Sequence, residues 1–264
     1  MRPWNLGLEA KAAIVTGAGS GIGRAIAHAL AAHGTAVCIG DVNLEAARSV
    51  ASEIERADGR AIAVRADVSQ RSQVEALVAG ATRAFGRLDI LVNNAGLQFI
   101  APIQEFPEDR WDLLIGVMLT GTFLCSKYAL PHMMARRWGR IVNISSIHGL
   151  VASPYKSAYI SAKHGIVGFT RTLALEVADH GITANAICPG YVRTPLVENQ
   201  IADQARVNGI PPEEVVARIM LAPAAIKRLL EPEEIASAVL YLCSEMAAGV
   251  TGTALAVDAG WTAR

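Results

Sequence analysis

Several things are scarce in this chain of 264 residues, and each scarcity removes a class of function. There is no charge imbalance: 24 lysines and arginines stand against 24 aspartates and glutamates, so no net charge draws it to nucleic acid or to an anionic membrane. No uninterrupted apolar stretch reaches the ~18 residues of a bilayer span. The first strand-like run starts within the first dozen positions, so neither a signal peptide nor a membrane span is expected, and the expected location is the cytoplasm. Cysteine is sparse. Cys38, Cys125, Cys188 and Cys243 are scattered without Cys-x-x-Cys pairs or matching histidines, which predicts buried, reduced, structural thiols and no metal site. Internal repeats, low-complexity tracts and interdomain linkers are also missing. What remains is 52% apolar residues, enough for one large core and one domain over 1–264.

Short apolar runs at 10–17, 35–40, 61–66, 88–93, 140–145, 182–188 and 254–257 read as strands. Amphipathic segments at 43–57, 70–85, 107–137, 156–178 and 232–244 read as helices between them. Seven strands alternating with helices predict an α/β fold, a Rossmann-like doubly wound parallel sheet that binds ligands at the carboxyl ends of its strands. The stretch 191–231 interrupts the alternation with prolines and two short helical patterns, 196–207 and 212–221. Its length beside the strand ends suggests a helical lid over a substrate.

The first strand runs into Gly17-x-x-x-Gly21-Ile22-Gly23, with Ser20 inside the loop and a helix after it. Glycines there let the backbone approach a pyrophosphate, while free amides and the positive helix end hold the anion. The second strand ends in Asp41, eighteen residues beyond Gly23. A carboxylate there can accept both ribose hydroxyls and repel a 2′-phosphate, which favours NAD over NADP; as a helix cap before Asn43 it would carry no such meaning.

Tyr159 and Lys163 are four residues apart, and Ser146 precedes the tyrosine by thirteen. On a helix, positions i and i+4 share a face, so the ammonium can lie beneath the phenol. Bringing a phenol from its ordinary pKa near 10 to ~7 takes roughly 4 kcal/mol. One ammonium at ~4 Å supplies that much at an effective dielectric of ~20. The trio therefore points to a tyrosine base. An exposed aromatic beside a solvated lysine is the plainer meaning of the pair alone.

With Thr16-Gly17-x-x-x-Gly21-Ile22-Gly23, Asn93-Asn94-Ala95-Gly96, Ser146, Tyr159-x-x-x-Lys163 and Pro189-Gly190 in this order, the chain resembles the short-chain dehydrogenases/reductases from end to end. The resemblance implies that Asp67 and Val68 flank an adenine and that Asn94, Ala95 and Gly96 lie along the cofactor. It places Pro189, Gly190, Val192 and Thr194 at the nicotinamide amide, and it implies a homotetramer. The second half also resembles the D-3-hydroxybutyrate dehydrogenases, in His148-Gly149-Leu150-Val151-Ala152-Ser153, Lys156-Ser157-Ala158-Tyr159 and Asp258-Ala259-Gly260-Trp261. That resemblance implies a small hydroxy-acid substrate whose carboxylate is gripped by Gln98, His148, Lys156 and Gln200, with Tyr191 and Trp261 near the methyl end or the lid. The residue types suit the task, since a carboxylate needs several donors and a lysine, amides and an imidazole provide them.

One position departs from the family pattern. Where the family carries an asparagine that supports a helix distortion and a water-held proton relay, this chain has Met118 in Val117-Met118-Leu119-Thr120-Gly121. A weakened relay is expected. The competing expectations are a dehydrogenase of another small alcohol, such as a sugar, polyol or 3-oxoacyl substrate, or a cofactor-binding protein whose chemistry has faded.

Overall fold

The structure, a computed structural model, describes residues 6–263; the first five positions and the last position of the expected 1–264 domain lie outside the described residues. Seven strands, β1 (Ala12–Thr16), β2 (Ala36–Asp41), β3 (Ala61–Arg65), β4 (Ile90–Asn93), β5 (Gly139–Ile144), β6 (Ile182–Pro189) and β7 (Ala254–Val257), form one sheet in the order β3-β2-β1-β4-β5-β6-β7. All six pairings are parallel. The order reverses between β1 and β4, and a crevice opens there at the carboxyl ends of the strands.

The strands read as continuous apolar runs because both faces are covered. Ala13, Val15, Val37, Ile39, Ile90 and Val92 face one helical layer, made of α1 (Gly21–Ala32), α2 (Leu44–Arg56) and, late in the chain, a helix at Pro232–Cys243. Their neighbours Ile14, Cys38 and Leu91 face the other layer, where α3 (Arg71–Phe85) packs. Alternation along each strand thus feeds two cores. The second layer also contains one continuous helical run from Glu108 to Arg136, made of α4 (Glu108–Ile115), a π turn (Gly116–Thr120) and α5 (Gly121–Arg136). By length and mean hydropathy (1.6) that run could cross a membrane, but 44% of its most apolar window is buried in this fold, and Leu124, Cys125, Ala129 and Met133 pack on the sheet.

The sequence gives α6 (Ser157–Val177) its place behind the crevice, and the four thiols are buried and free, as expected. Burial pushes Cys38, Cys125 and Cys243 up to about 12 and raises Cys188 as well. Between β6 and the last long helix, the segment 191–231 carries α7 (Pro195–Glu198), α8 (Ile201–Asn208), α9 (Pro212–Val215) and a second π turn (Val216–Met220), followed by α10 (Pro232–Cys243). The helical pattern at 196–207 is broken in two. Asn199 closes α7 and Gln200 opens α8, and the break turns Gln200 inward to 8% exposure.

Candidate active site

Gly17 follows β1 with φ +61, and a Cβ there would stand 2.8 Å from Ala95 Cα. The contact is close because β4 and the loop are stitched together. Thr16 Oγ1 accepts the amides of Asn94 (3.0 Å) and Ala95 (3.1 Å), and Asn94 Nδ2 donates to the carbonyls of Thr16 (2.9 Å) and Gly17 (3.0 Å). Gly21, at φ +53, then opens α1, whose N-cap Ser20 makes no side-chain cap bond. Asp41 faces this loop. Its Oδ2 accepts the Gly19 amide at 2.9 Å and its Oδ1 accepts the Asn43 amide at 2.9 Å, while Asn43 itself caps α2. A loop in which side chains would clash, backed by a helix N-terminus and a carboxylate, fits a dinucleotide. Farther along, Asp67 is fixed by Ser69, whose amide and hydroxyl donate to its Oδ1 at 3.0 and 2.7 Å.

These groups line one cavity of about 460 Å³ that reaches from Asp41 to Gln200. On its wall stand Gly17, Ser20, Gly21, Ile22, Asp41, Asp67, Val68, Asn94, Ala95, Gly96, Pro189, Gly190, Val192 and Thr194, together with Gln98, Ser146, His148, Lys156, Tyr159, Lys163, Tyr191 and Gln200. Two residues expected at the site are not on the wall. Gly23 packs inside the loop, where a Cβ would lie 2.3 Å from the Gly17 carbonyl oxygen. Trp261 stands behind His148, ring centroids 5.8 Å apart, and its Nε1 donates to the Met220 carbonyl at 3.0 Å. Leu97, Val117, Leu196 and Val197 add apolar wall, and none of them was given a role from the sequence.

Helix α6 brings Tyr159 and Lys163 against the end of β5. Lys163, 4% exposed, donates from Nζ to the Ile144 carbonyl at 2.7 Å, and Ser145 Oγ donates to the Lys163 carbonyl at 2.9 Å. Those partners could not be read from sequence, because the acceptors are backbone atoms. Ser146 Oγ accepts the His148 amide at 3.1 Å and bonds the Tyr159 side chain. The Lys163 ammonium lies 5.5 Å from the centre of the Tyr159 ring. Burial holds the phenol above its ordinary 10, with the Ser146 bond pulling the other way, and burial lowers Lys163 to about 8. Without a further positive charge nearby, desolvation keeps this phenol protonated at neutral pH.

At the other end of the cavity polar groups are buried with few partners. His148 is 3% exposed, and its ring nitrogens make no well-formed hydrogen bond, the Val151 backbone being the one polar neighbour that raises its affinity for a proton. Burial, with Lys156 adding repulsion, lowers it to about 3, so the ring is neutral at working pH. Its edge meets Tyr159 and Tyr191, each at 6.3 Å between centroids. Lys156 is 2% exposed, is lowered to about 8 by burial, and donates to Tyr191 Oη at 2.9 Å. Gln200 Nε2 is spent on the Leu196 carbonyl at 3.3 Å, leaving Oε1 unpartnered, and Gln98 Oε1 accepts the Phe99 amide at 3.2 Å. Among the described residues no group of three or more His, Cys, Asp or Glu could hold a metal ion.

The helix distortion is present although the asparagine is not. Gly116–Thr120 form a π turn, a local widening that recurs at functional sites, and Met118 is fully buried within it. Its side chain packs with Leu114, Ala158, Ala162 and Ile166, beside Gly96 and Tyr159. Thr122 Oγ1 donates to the Met118 carbonyl at 2.7 Å, so that carbonyl already has one partner.

Residues 11–205 match the family model described as short chain dehydrogenase. The chain is 47% identical to a D-beta-hydroxybutyrate dehydrogenase of Rhizobium meliloti (strain 1021), over 96% of this chain and 99% of that one. It is 45% identical to a cis-4-hydroxycyclohexanecarboxylate dehydrogenase of Sinomonas cyclohexanicum, over 96% and 97%. Its structure resembles that of a levodione reductase, with a TM-score of 0.90 and 35% identity over 97% of this chain and 98% of the other.

Proposed function

Because this chain belongs to the short-chain dehydrogenase family of oxidoreductases, we propose that its cavity carries out the reversible, NAD-dependent oxidation of (R)-3-hydroxybutyrate to acetoacetate. The observation that carries this reading is Lys156, an ammonium 2% exposed in the same cavity as Ser146, Tyr159 and Lys163. A cation taken out of water needs an anion, and a short hydroxy acid brings one. Gln98, His148, Lys156 and Gln200 bind the carboxylate, with Tyr191 and Trp261 at the lid side. His148, neutral and buried on the cavity wall, can offer one N–H to the carboxylate, and Gln200 can do so once its Nε2 turns from the Leu196 carbonyl.

Ser146 orients the substrate hydroxyl through its Oγ and stabilises the charge that develops on oxygen. Tyr159, as the phenolate, takes the hydroxyl proton while the hydride leaves C3. NAD, when bound, would supply the hydride acceptor and a positive charge that offsets desolvation of the phenol. Lys163 adds its own charge and holds the nicotinamide ribose. Gly17, Ser20, Gly21, Ile22 and Gly23 form the pyrophosphate loop, and Asp67, Val68, Asn94, Ala95 and Gly96 line the adenine and ribose side. Pro189, Gly190, Val192 and Thr194 hold the carboxamide. Asp41, already aimed at the loop, accepts the ribose hydroxyls and disfavours a 2′-phosphate, which supports NAD.

The segment 191–231 acts as the lid of a single domain spanning 1–264. The protein works as a cytoplasmic homotetramer without nucleic-acid or membrane partners. Leu175 on α6 (85% exposed) and Phe123 on α5 support an interface between copies, which a mass measurement in solution tests.

The test of the reaction is purified protein with NAD and a panel of alcohols, followed by the absorbance of reduced nicotinamide. Selective turnover of (R)-3-hydroxybutyrate is expected. Faster turnover of a cyclic hydroxy acid would keep the anion site and change the substrate; polyol turnover, or NAD binding with no turnover at all, would overturn the proposal.

A further inference from the structure

The resemblance places Tyr191 near the methyl end or the lid, and in the structure its phenol sits on the lysine. Lys156 Nζ donates to Tyr191 Oη at 2.9 Å, and the same ammonium is 5.1 Å from the centre of the Tyr191 ring. A phenol that accepts from an ammonium still has its own O–H to donate, and the ammonium has two further N–H groups. Both residues face the cavity, 35 positions apart in sequence.

We propose that Lys156 Nζ and Tyr191 Oη form a two-donor fork for the substrate carboxylate, so that Tyr191 reads the anion and not the methyl group. This rests on the hydroxy-acid reading above and adds a specificity-determining residue to it. A carboxylate presents two oxygens side by side, and two donors 2.9 Å apart can meet one each. The surroundings favour an anion at this point. No carboxylate forms an ion pair with Lys156 among the described residues, and the neutral His148 ring stands between Tyr159 and Tyr191 with no negative charge of its own.

The backbone is strained to hold the lysine there. Tyr155, immediately before it, adopts φ +68, an uncommon conformation for an aromatic residue, and its carbonyl accepts the Ala101 amide at 3.1 Å. Strain of this kind persists where the surrounding structure imposes it, often beside a binding group. On the other side, the Tyr191 carbonyl accepts the Leu230 amide at 2.9 Å, so the phenol is carried by the first residue of the 191–231 segment and fixed to its far end. The fork therefore joins the lysine before α6 to both ends of that segment.

The probe is butyrate, which carries the anion and no reacting hydroxyl, titrated into the enzyme saturated with NAD. Tyr191→Phe keeps the ring against His148 and removes only the hydroxyl. Butyrate should bind roughly tenfold or more weakly to the variant, as expected when one hydrogen bond to a charged group is lost. NAD affinity, measured separately, reports that the variant is folded. Equal butyrate affinity in variant and parent overturns the fork, as does a parent protein that binds no butyrate. Butyrate bound through the hydroxyl by a protein that fails to oxidise (R)-3-hydroxybutyrate sustains the fork and removes the hydroxybutyrate reading.

Discussion

Two phenol and lysine pairs face each other across one cavity, and they are built differently. Tyr159 and Lys163 lie one helical turn apart on α6; their ring and ammonium are 5.5 Å apart, and the lysine's own hydrogen bond goes to the Ile144 carbonyl. Tyr191 and Lys156 come from separate segments and touch directly at 2.9 Å. Burial lowers both lysines to about 8. The difference teaches that residue type alone does not set a role. A phenol not bonded to its lysine is free to exchange a proton with substrate, whereas one that accepts from its lysine is engaged as a polar arm.

The largest effect should come from the first pair. Tyr159→Phe removes the base and should lower kcat by about a thousandfold or more while NAD affinity stays unchanged. Stopped-flow turnover and a cofactor titration measure the two; substantial residual turnover would assign the proton to another group.

Next in size is the second pair. Lys156→Met removes the buried charge, and KM for the hydroxy acid should rise by more than about tenfold with a smaller change in kcat. A fall confined to kcat would place Lys156 in the chemistry and erase the contrast between the pairs.

The pH dependence separates them further. Because burial lowers Lys156 to about 8, its charge is present below that pH and lost above it, so butyrate binding should weaken as pH rises through about 8. A bound carboxylate favours the ammonium, which moves the same limb upward in the complex. His148, held near 3, contributes no limb between. Calorimetric titration of butyrate at several pH values checks the sign; binding that strengthens with pH would exclude an ammonium as its anchor.

The smallest effect is expected at Met118. Since the π turn exists with methionine, and Thr122 bonds the carbonyl inside it, Met118→Asn should raise kcat only a few-fold. A large rise in steady-state turnover would mean that proton relay through this helix limits the native enzyme.

The cofactor half was legible in the sequence because its signals are local. Glycines that must be glycines, an acid at the end of β2 and apolar runs at strand spacing all follow from backbone geometry, and each strand falls within one or two residues of its expected place. The end of the cavity proposed for substrate was legible in residue type and less so in arrangement. Gln98, His148, Lys156 and Gln200 do meet in one cavity, but the Lys156 to Tyr191 bond spans 35 residues and leaves no periodic trace. Trp261 sends its indole N–H to a backbone carbonyl in the π turn at 216–220, which no side-chain pattern encodes. The π turn at 116–120 was equally hidden, because a shift from i−4 to i−5 bonding changes no composition.

The central claim is that Tyr159 takes the proton of a small hydroxy acid held beside NAD. A crystal structure of the complex with NAD and (R)-3-hydroxybutyrate, trapped with Tyr159→Phe, tests it most directly. The account predicts the C3 hydroxyl within hydrogen-bond reach of Ser146 Oγ, facing the para position of ring 159, and the carboxylate at Lys156. A hydroxyl pointing away from residue 159, or a carboxylate lodged elsewhere, would contradict it.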